Sequence, residues 1–244
     1  MIEYIKVSKS FDSLRVLDDV SCTIPDSKIT VFIGPSGVGK SVLMKMIVGL
    51  EKPDSGAVRV GGEDIAALDE RGLYRLRRKM GMLFQDGALF DSMTAGENVA
   101  FPMRRHTRMT EREIGRRVAE KLSLVGMPGC EEKYPAELSG GMRKRVGLAR
   151  AIALEPEIVL FDEPTSGLDP LMADAIDDLI LDMQRKLGCT FVVNSHDIPG
   201  TFKIADTIGV LYDARLIACG ERREIMRSRD PALVRFFARH RGEQ

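Results

Sequence analysis

The sequence predicts an α/β fold interrupted by a helical block, and three observations predict it. Residues 29–33, Ile-Thr-Val-Phe-Ile, form a β-branched and aromatic run that reads as a buried strand. It leads through a glycine-rich turn into the helical run 42–48. Further short apolar runs at 80–84, 158–161, 190–193 and 208–212 read as strands set between helical stretches. Residues 92–138 then change character. Thr94-Ala95-Gly96-Glu97 and Thr110-Glu111-Arg112-Glu113 are capping-box patterns, each followed by helical sequence, and Val118, Leu122 and Val125 give an apolar stripe.

The turn after the first of these strands is Gly34-Pro35-Ser36-Gly37-Val38-Gly39-Lys40-Ser41. It matches G-x-x-x-x-G-K-[ST] at every fixed position and stands between a strand and a helix, the context this phosphate loop requires. Glycines let the backbone wrap an anion with its N–H groups inward, and the helix start adds its positive end. A lysine at position 40 can reach the β- and γ-phosphates, and the Ser41 hydroxyl can coordinate Mg²⁺.

Taken in order, residues 2–7 form a candidate first strand and 16–24 a second, closed by Pro25-Asp26-Ser27. Phe11 either belongs to the core or stacks on an adenine ring, a contact worth about 1–3 kcal/mol by analogy with bases on aromatics. The helix after the phosphate loop ends near Gly49. Val58 and Val60 precede Gly61-Gly62 as a hairpin strand, and 73–79 reads as a short helix. Gln85 ends the 80–84 strand, at the strand edge where ligand contacts gather in α/β sheets. The arginine-rich stretch 104–117 is a solvated helix face or a partner surface. Ser139 is a natural N-cap for the helix that follows, in which Arg143-Lys144-Arg145 reads as a polar face rather than a nucleic-acid patch.

The strand at 158–161 ends in Asp162-Glu163. Four apolar residues running into an acid can place a carboxylate on Mg²⁺, and Glu163, one step on, points elsewhere and can deprotonate water. A turn at 165–170, a helix with Ile176, Leu179, Ile180 and Met183 on one face, and the strand 190–193 follow. His196 stands just past the end of that strand. Residues 208–218 read as a terminal hairpin, and the chain from 221 on as a basic helical tail.

Composition bounds the function. The chain has 244 residues, 44% hydrophobic and 30% charged, with 36 basic residues against 36 acidic. That balance gives no global signal for nucleic acid. No apolar run approaches the roughly 18 residues of a membrane span. The N-terminus has no signal or transit character. Cys22, Cys130, Cys189 and Cys219 form no C-x-x-C pair, and buried reduced thiols of a cytosolic protein are expected.

The phosphate loop, Gln85, Leu138-Ser139-Gly140-Gly141, Asp162-Glu163, Ser166-Gly167-Leu168-Asp169 and His196, in this order, resemble an ABC-transporter ATPase subunit over about residues 2–240. The resemblance implies a P-loop NTPase core with a mixed sheet and flanking helices, an antiparallel β subdomain and an inserted helical subdomain. A single domain is expected over 1–244: core at about 1–91 and 155–220, helical subdomain at about 92–154, helical tail at about 221–244. It implies ATP and Mg²⁺ as ligands. Phe11, Val16, Gly34, Ser36, Gly37, Val38, Gly39, Lys40, Ser41 and Val42 would hold the nucleotide. Ser41, Gln85 and Asp162 would hold the metal, and Glu163 would be the base with Gln85 and His196 beside it in catalysis. Ser139, Gly140, Gly141 and Met142 would serve the nucleotide on a second copy of the chain, with Asp169 in the D-loop.

The segments 84–93, 98–102 and 139–145 are similar to the ATPases of Mla/Mce-type lipid transport systems. That resemblance implies a motor for phospholipid or another lipid, attached through a transmembrane permease to the inner face of the cytoplasmic membrane. A small regulatory subunit is a further candidate partner, and no direct nucleic-acid contact is implied. Met142 stands where most ABC signatures carry glutamine, and Gly167 where many D-loops carry alanine, so a contact made by that glutamine is not carried over. The alternatives are the ATPase of a small-solute importer, such as one for amino acids, and a nucleic-acid- or ribosome-associated ABC protein. The latter usually has two cassettes or a long coiled coil, and no heptad run occurs here.

Overall fold

The computed structural model describes residues 1–85 and 87–240. Asp86 and the last four positions of the expected 221–244 tail lie outside the described residues. In chain order the first elements are β1 (Ile2–Phe11), β2 (Leu14–Ile24), β3 (Ile29–Ile33), α1 (Lys40–Ile47), β4 (Ser55–Val60), β5 (Glu63–Asp64), α2 (Glu70–Arg77) and β6 (Met80–Leu83). Then come α3 (Ala95–His106), α4 (Glu111–Leu124), α5 (Gly140–Ala151), β7 (Ile158–Asp162), α6 (Pro170–Leu187) and β8 (Thr190–Ser195). The chain closes with α7 (Ile198–Ile204), β9 (Thr207–Tyr212), β10 (Arg215–Glu221), α8 (Arg222–Arg227) and α9 (Pro231–His240).

Two elements extend beyond their apolar pattern, and each has a local cause. β1 runs on through Ser8, Lys9 and Ser10 because pairing with β2 continues from Ile2↔Ile24 to Phe11↔Leu14. Asp54 secures that polar end, accepting from the Ser10 N–H at 2.7 Å and from the Lys9 ammonium at 3.1 Å. α2 begins three residues before the expected 73 because the Asp69 carboxylate accepts from the Gly72 N–H at 2.7 Å and caps an earlier turn.

Packing divides the chain into two units, Met1–Leu73 together with the residues from Val192 on, and Tyr74–Phe191. The first unit holds an antiparallel sheet in the order β2-β1-β4-β5 and the neighbouring strands β10-β9-β3-β8. In the second group β9 runs parallel to β3 and antiparallel to β10, so it is mixed. β3 is buried at every position, which explains its unbroken apolar run. The buried face of α1 presents Leu43, Met44, Met46 and Ile47 to this core. The Tyr4 ring meets Phe32 edge-on at 6.3 Å, and its hydroxyl donates to the Leu43 carbonyl at 2.8 Å. The expectation that all four cysteines are buried fails here: Cys219 is exposed and Cys22 half-buried, because both sit on sheet-edge strands.

The second unit sets the parallel pair β6–β7 with α3, α4, α5 and α6. Both expected capping boxes form. The Thr94 hydroxyl accepts from the Glu97 N–H at 3.2 Å, and the Glu97 carboxylate accepts from the Thr94 N–H at 2.9 Å; Thr110 and Glu113 repeat the arrangement. Asn98, fully buried on α3, organises the loop before the helix. Its Nδ2 donates to the carbonyls of Phe90, Met93 and Thr94 at 3.0–3.1 Å, and its Oδ1 accepts from the Phe90 N–H at 2.8 Å.

Truncating Asn98 leaves several buried backbone groups without a partner, at about 1–3 kcal/mol for the first of them. Asn98→Ala is therefore expected to lower the thermal midpoint by roughly 4–8 °C for a loss of about 2 kcal/mol. Differential scanning calorimetry of the two proteins checks it, and an unchanged midpoint contradicts the role given to Asn98.

Candidate functional site

In the first unit the phosphate loop leaves the end of β3 and feeds directly into α1. Lys40, the first residue of the helix, is only 5% exposed, and its ammonium donates to the carbonyls of Gly34 at 2.7 Å and Pro35 at 3.3 Å. No side-chain hydrogen bond caps α1, and the helix carries no acidic residue in its own first turn. Gly39, the residue before the helix, has φ +109°, and a Cβ there would stand 2.8 Å from the Val16 carbonyl oxygen. Only glycine takes that backbone shape at that closeness. Gly37 has φ +78° with nothing within 4 Å of a Cβ, so its requirement is conformational alone. Ser36 is exposed, and Val38, Ser41 and Val42 are half-buried around the loop and the first turn.

The β1–β2 hairpin supplies Phe11 and Val16. The structure corrects the reading of Phe11 as core: it is 40% exposed at the hairpin end, with the Lys9 ammonium 5.2 Å from its ring centroid. Val16 backs the loop through its carbonyl. His196 is exposed just past the end of β8, the strand next to β3. The turn that carries it is fixed on its far side, where the Asp197 N–H donates to Ser195 Oγ at 2.9 Å and the Thr201 hydroxyl to the Asp197 carbonyl at 2.6 Å.

In the second unit the parallel register pairs Leu83 with Phe161. Gln85 and Glu163 each lie two residues past that rung, so the register brings Gln85, Asp162 and Glu163 to one strand end. Gln85 Nε2 donates to the Ser166 hydroxyl at 3.3 Å. Glu163 has φ +53°, a left-handed conformation that a non-glycine residue adopts at a cost of about 1–2 kcal/mol. Backbone strain of this kind gathers at sites where a side chain must be aimed.

Ser139 caps α5, its Oγ accepting from the Met142 N–H at 3.3 Å. Gly140 opens the helix, Gly141 is buried, and Met142 is half-buried. Asp169 caps α6 in the same way, accepting from the Met172 N–H at 3.0 Å. The two helix starts approach each other, since a Cβ on Gly141 would lie 2.7 Å from Met172 Cε.

A family model described as ABC transporter matches residues 17–166. The chain belongs to the ABC transporter family. It is 42% identical over 237 residues to the Escherichia coli "Intermembrane phospholipid transport system ATP-binding protein MlaF", covering 97% of this chain and 88% of that one. It is 44% identical over 236 residues to the Mycobacterium tuberculosis "Probable ribonucleotide transport ATP-binding protein mkl". That match covers 97% of this chain and only 66% of the mycobacterial protein, so the chain spans less than two thirds of that relative's length. Among solved structures, a dimeric bacterial ABC transporter cassette superposes with a TM-score of 0.84 at 32% identity, over 91% of this chain and 99% of that one. CbiO1 from Clostridium perfringens, part of an ABC transporter complex, superposes with a TM-score of 0.85 at 28% identity, over 98% and 97%.

Within this ABC transporter chain two basic residues depart from their expected place. Lys144 is not on a solvated face. It is 4% exposed, and its ammonium donates to the carbonyls of Pro164 at 2.9 Å and Ser166 at 2.5 Å, tying α5 to the segment after Glu163. Its spacing from Gly141, Gly147 and Leu148, all buried on α5, is the sequence signal that points to this face. Arg145 likewise turns inward to the Val125 carbonyl at 2.9 Å. The oxygen donors Ser41, Gln85 and Asp162 have the hard-ligand chemistry that suits Mg²⁺, a metal bound through one or two carboxylates together with substrate phosphates.

Gly39→Ala forces a methyl group against the Val16 carbonyl from a left-handed backbone. The strain alone is about 1–2 kcal/mol, and 1.4 kcal/mol is tenfold in affinity. The variant is expected to bind a fluorescent ATP analogue at least about tenfold more weakly with an unchanged circular dichroism spectrum. Equal affinity contradicts the loop geometry.

Proposed function

We propose that this chain is the ATP-hydrolysing motor subunit of a transporter that moves phospholipid or a related lipid. The observation that carries the reading is Lys40, buried at the start of α1 in a loop whose glycines hold anion-binding backbone shapes. Membership of the ABC transporter family supports ATP as the ligand, and the likeness to a phospholipid transport ATP-binding protein supports a lipid cargo.

The roles follow from the chemistry of each group. Phe11 stacks on the adenine, and Val16 with the loop residues Gly34, Ser36, Gly37, Val38 and Gly39 shapes the nucleotide bed. Lys40 gives its ammonium to the β- and γ-phosphates, and the N–H groups around Ser41 and Val42 face the anion. Mg²⁺, held by Ser41, Gln85 and Asp162, would neutralise charge on the phosphates. Glu163 takes the proton from the attacking water, Gln85 orients that water, and His196 contacts the γ-phosphate. Ser139, Gly140, Gly141 and Met142 serve the nucleotide of a second copy, with Asp169 beside them. A dimeric structure of a similar cassette supports that arrangement.

The division of labour is that of one ATPase domain. About 1–91 and 155–220 act as core with β subdomain, about 92–154 as the helical subdomain carrying the signature, and the chain from about 221 on as the tail. Among the described residues no helix is long and apolar enough to cross a membrane, so force reaches the bilayer through a transmembrane permease. An apolar groove lined by Met82, Phe84, Phe90, Phe101 and Pro102 in the second unit supports a partner helix with exposed apolar side chains. The protein then sits peripherally on the inner face of the cytoplasmic membrane. A small regulatory subunit is a further partner, and nucleic acid is not one.

Glu163→Gln keeps the side-chain shape but cannot accept a proton. A general base contributes about 10²–10⁴-fold, so hydrolysis is expected to fall by that factor while ATP affinity holds. In proteoliposomes carrying the permease, lipid transfer stops with it. Hydrolysis by the variant at the wild-type rate removes Glu163 as the base, and ATP-dependent transfer of a small solute but no lipid by the wild-type protein removes the lipid reading.

A further inference from the structure

Cys22 and Cys219 lie on the edge strands of two different sheets in the first unit. Cys22 is in β2, opposite Tyr4, at the edge of the antiparallel sheet. Cys219 is in β10, opposite Gly209, at the end of the mixed group. The two strands pack on each other, and their alignment is pinned at one end. There the Asp18 N–H donates to the Ala214 carbonyl at 2.8 Å, and the Asp18 carboxylate accepts from Arg215 at 2.7 and 2.9 Å.

From Asp18 to Cys22, and from Arg215 to Cys219, each strand advances by four residues, about 13 Å of extended chain. β10 carries one extra residue relative to β9 between Leu216 and Ala218, while in β2 the extra residue between Leu17 and Val20 is made up by β1 between Tyr4 and Val7. Equal residue counts from the pinned end, on strands that pack on each other, carry Cys22 and Cys219 to the same end of the pair. At the far end the two thiols are near enough that each shifts the other's titration, Cys22 up and Cys219 down, through a hydrogen bond from Cys22 to Cys219.

We propose that Cys22 and Cys219 form a reversible redox modification site, which a hydroperoxide converts to an intramolecular disulfide joining the two sheet edges. Cys219 is the exposed member and receives the hydrogen bond, which holds its thiol below the usual range; that same bond, with burial, pushes Cys22 up. Cys219 is therefore the nucleophile. Its thiolate attacks a peroxide oxygen, the O–O bond breaks, and the leaving hydroxide takes the thiol proton as water. The Cys219 sulfenic acid is then attacked by the Cys22 sulfur: the S–S bond forms, the S–O bond breaks, and a second water departs with the Cys22 proton. Two thiols lose two electrons and two protons, and hydrogen peroxide becomes two waters. The bond closes almost the whole chain into one loop, the case in which cross-linking most constrains the unfolded state. It also ties β2, whose Val16 carbonyl backs Gly39, to β10.

Cys130 and Cys189 serve as internal controls. Both are buried in the second unit, and burial pushes the Cys189 thiol up to about 11 and the Cys130 thiol in the same direction.

The test treats the full-length protein with hydrogen peroxide, alkylates remaining thiols and maps unreduced peptides by mass spectrometry. The expected product is a Cys22–Cys219 linked peptide that dithiothreitol releases, formed before Cys130 or Cys189 reacts, with a raised thermal midpoint that reduction reverses. Cys22→Ser is expected to stop at a Cys219 sulfenic acid trapped by dimedone, and Cys219→Ser to lose the product. The wild-type map decides alone if either variant fails to fold. No linked peptide, a main product through another cysteine or a second chain, or equal linkage rates in native and guanidinium-unfolded protein overturns the proposal.

Discussion

The Lys40 ammonium is almost wholly withdrawn from water at the start of α1, and carbonyls of its own loop help keep that charge tolerable. A buried cation without hydrogen-bond partners is costly, so the loop must curl back until Gly34 and Pro35 present their oxygens. That curl requires Gly37 and Gly39 in left-handed shapes and draws Gly39 against the Val16 carbonyl. The loop contacts of Lys40 and the closeness of Gly39 to Val16 thus tie the path from β3 into α1 to the β1–β2 hairpin. Phe11 rides at the end of that hairpin, outside the core.

The same economy of position recurs in the second unit. The parallel register of β6 and β7 carries Gln85, Asp162 and Glu163 to one strand end, and Lys144 fastens the following segment to α5. Ser139 and Asp169 cap their helices with side-chain oxygens, so the residues proposed to face a second copy are also those that set where α5 and α6 begin. In each unit the candidate chemistry sits where a strand or a helix terminates, because backbone groups left over at such ends are what a phosphate ligand can use.

Much of this was legible in the sequence because the decisive constraints are local. The phosphate loop, both capping boxes and the strand ending in Asp162-Glu163 are set by neighbours within a few residues. What was not legible depends on partners far along the chain. Phe11 is apolar and reads as core, yet the hairpin extends past the sheet because Asp54 secures the polar end of β1. Lys144 is charged and reads as solvated, yet two carbonyls twenty residues on receive it. Asn98 gave no signal, since a polar residue on a helix is ordinary until a loop folds over it. Cys22 and Cys219 are nearly two hundred residues apart, and only the packing of β2 on β10, pinned by Asp18, brings them together.

The central claim is that one chain holds two incomplete halves, a phosphate loop around Lys40 and a signature helix start at Ser139, completed by a second copy. Mixing chains tests it most directly. Lys40→Ala abolishes the loop and leaves the signature; Ser139→Arg blocks the signature and leaves the loop. Each variant alone is expected to be inactive, and ATPase activity measured on the mixture is expected to rise well above the sum of the two, because the mixed dimer contains one intact site. Activity in Ser139→Arg alone, or no recovery in a mixture shown to exchange subunits, contradicts the account.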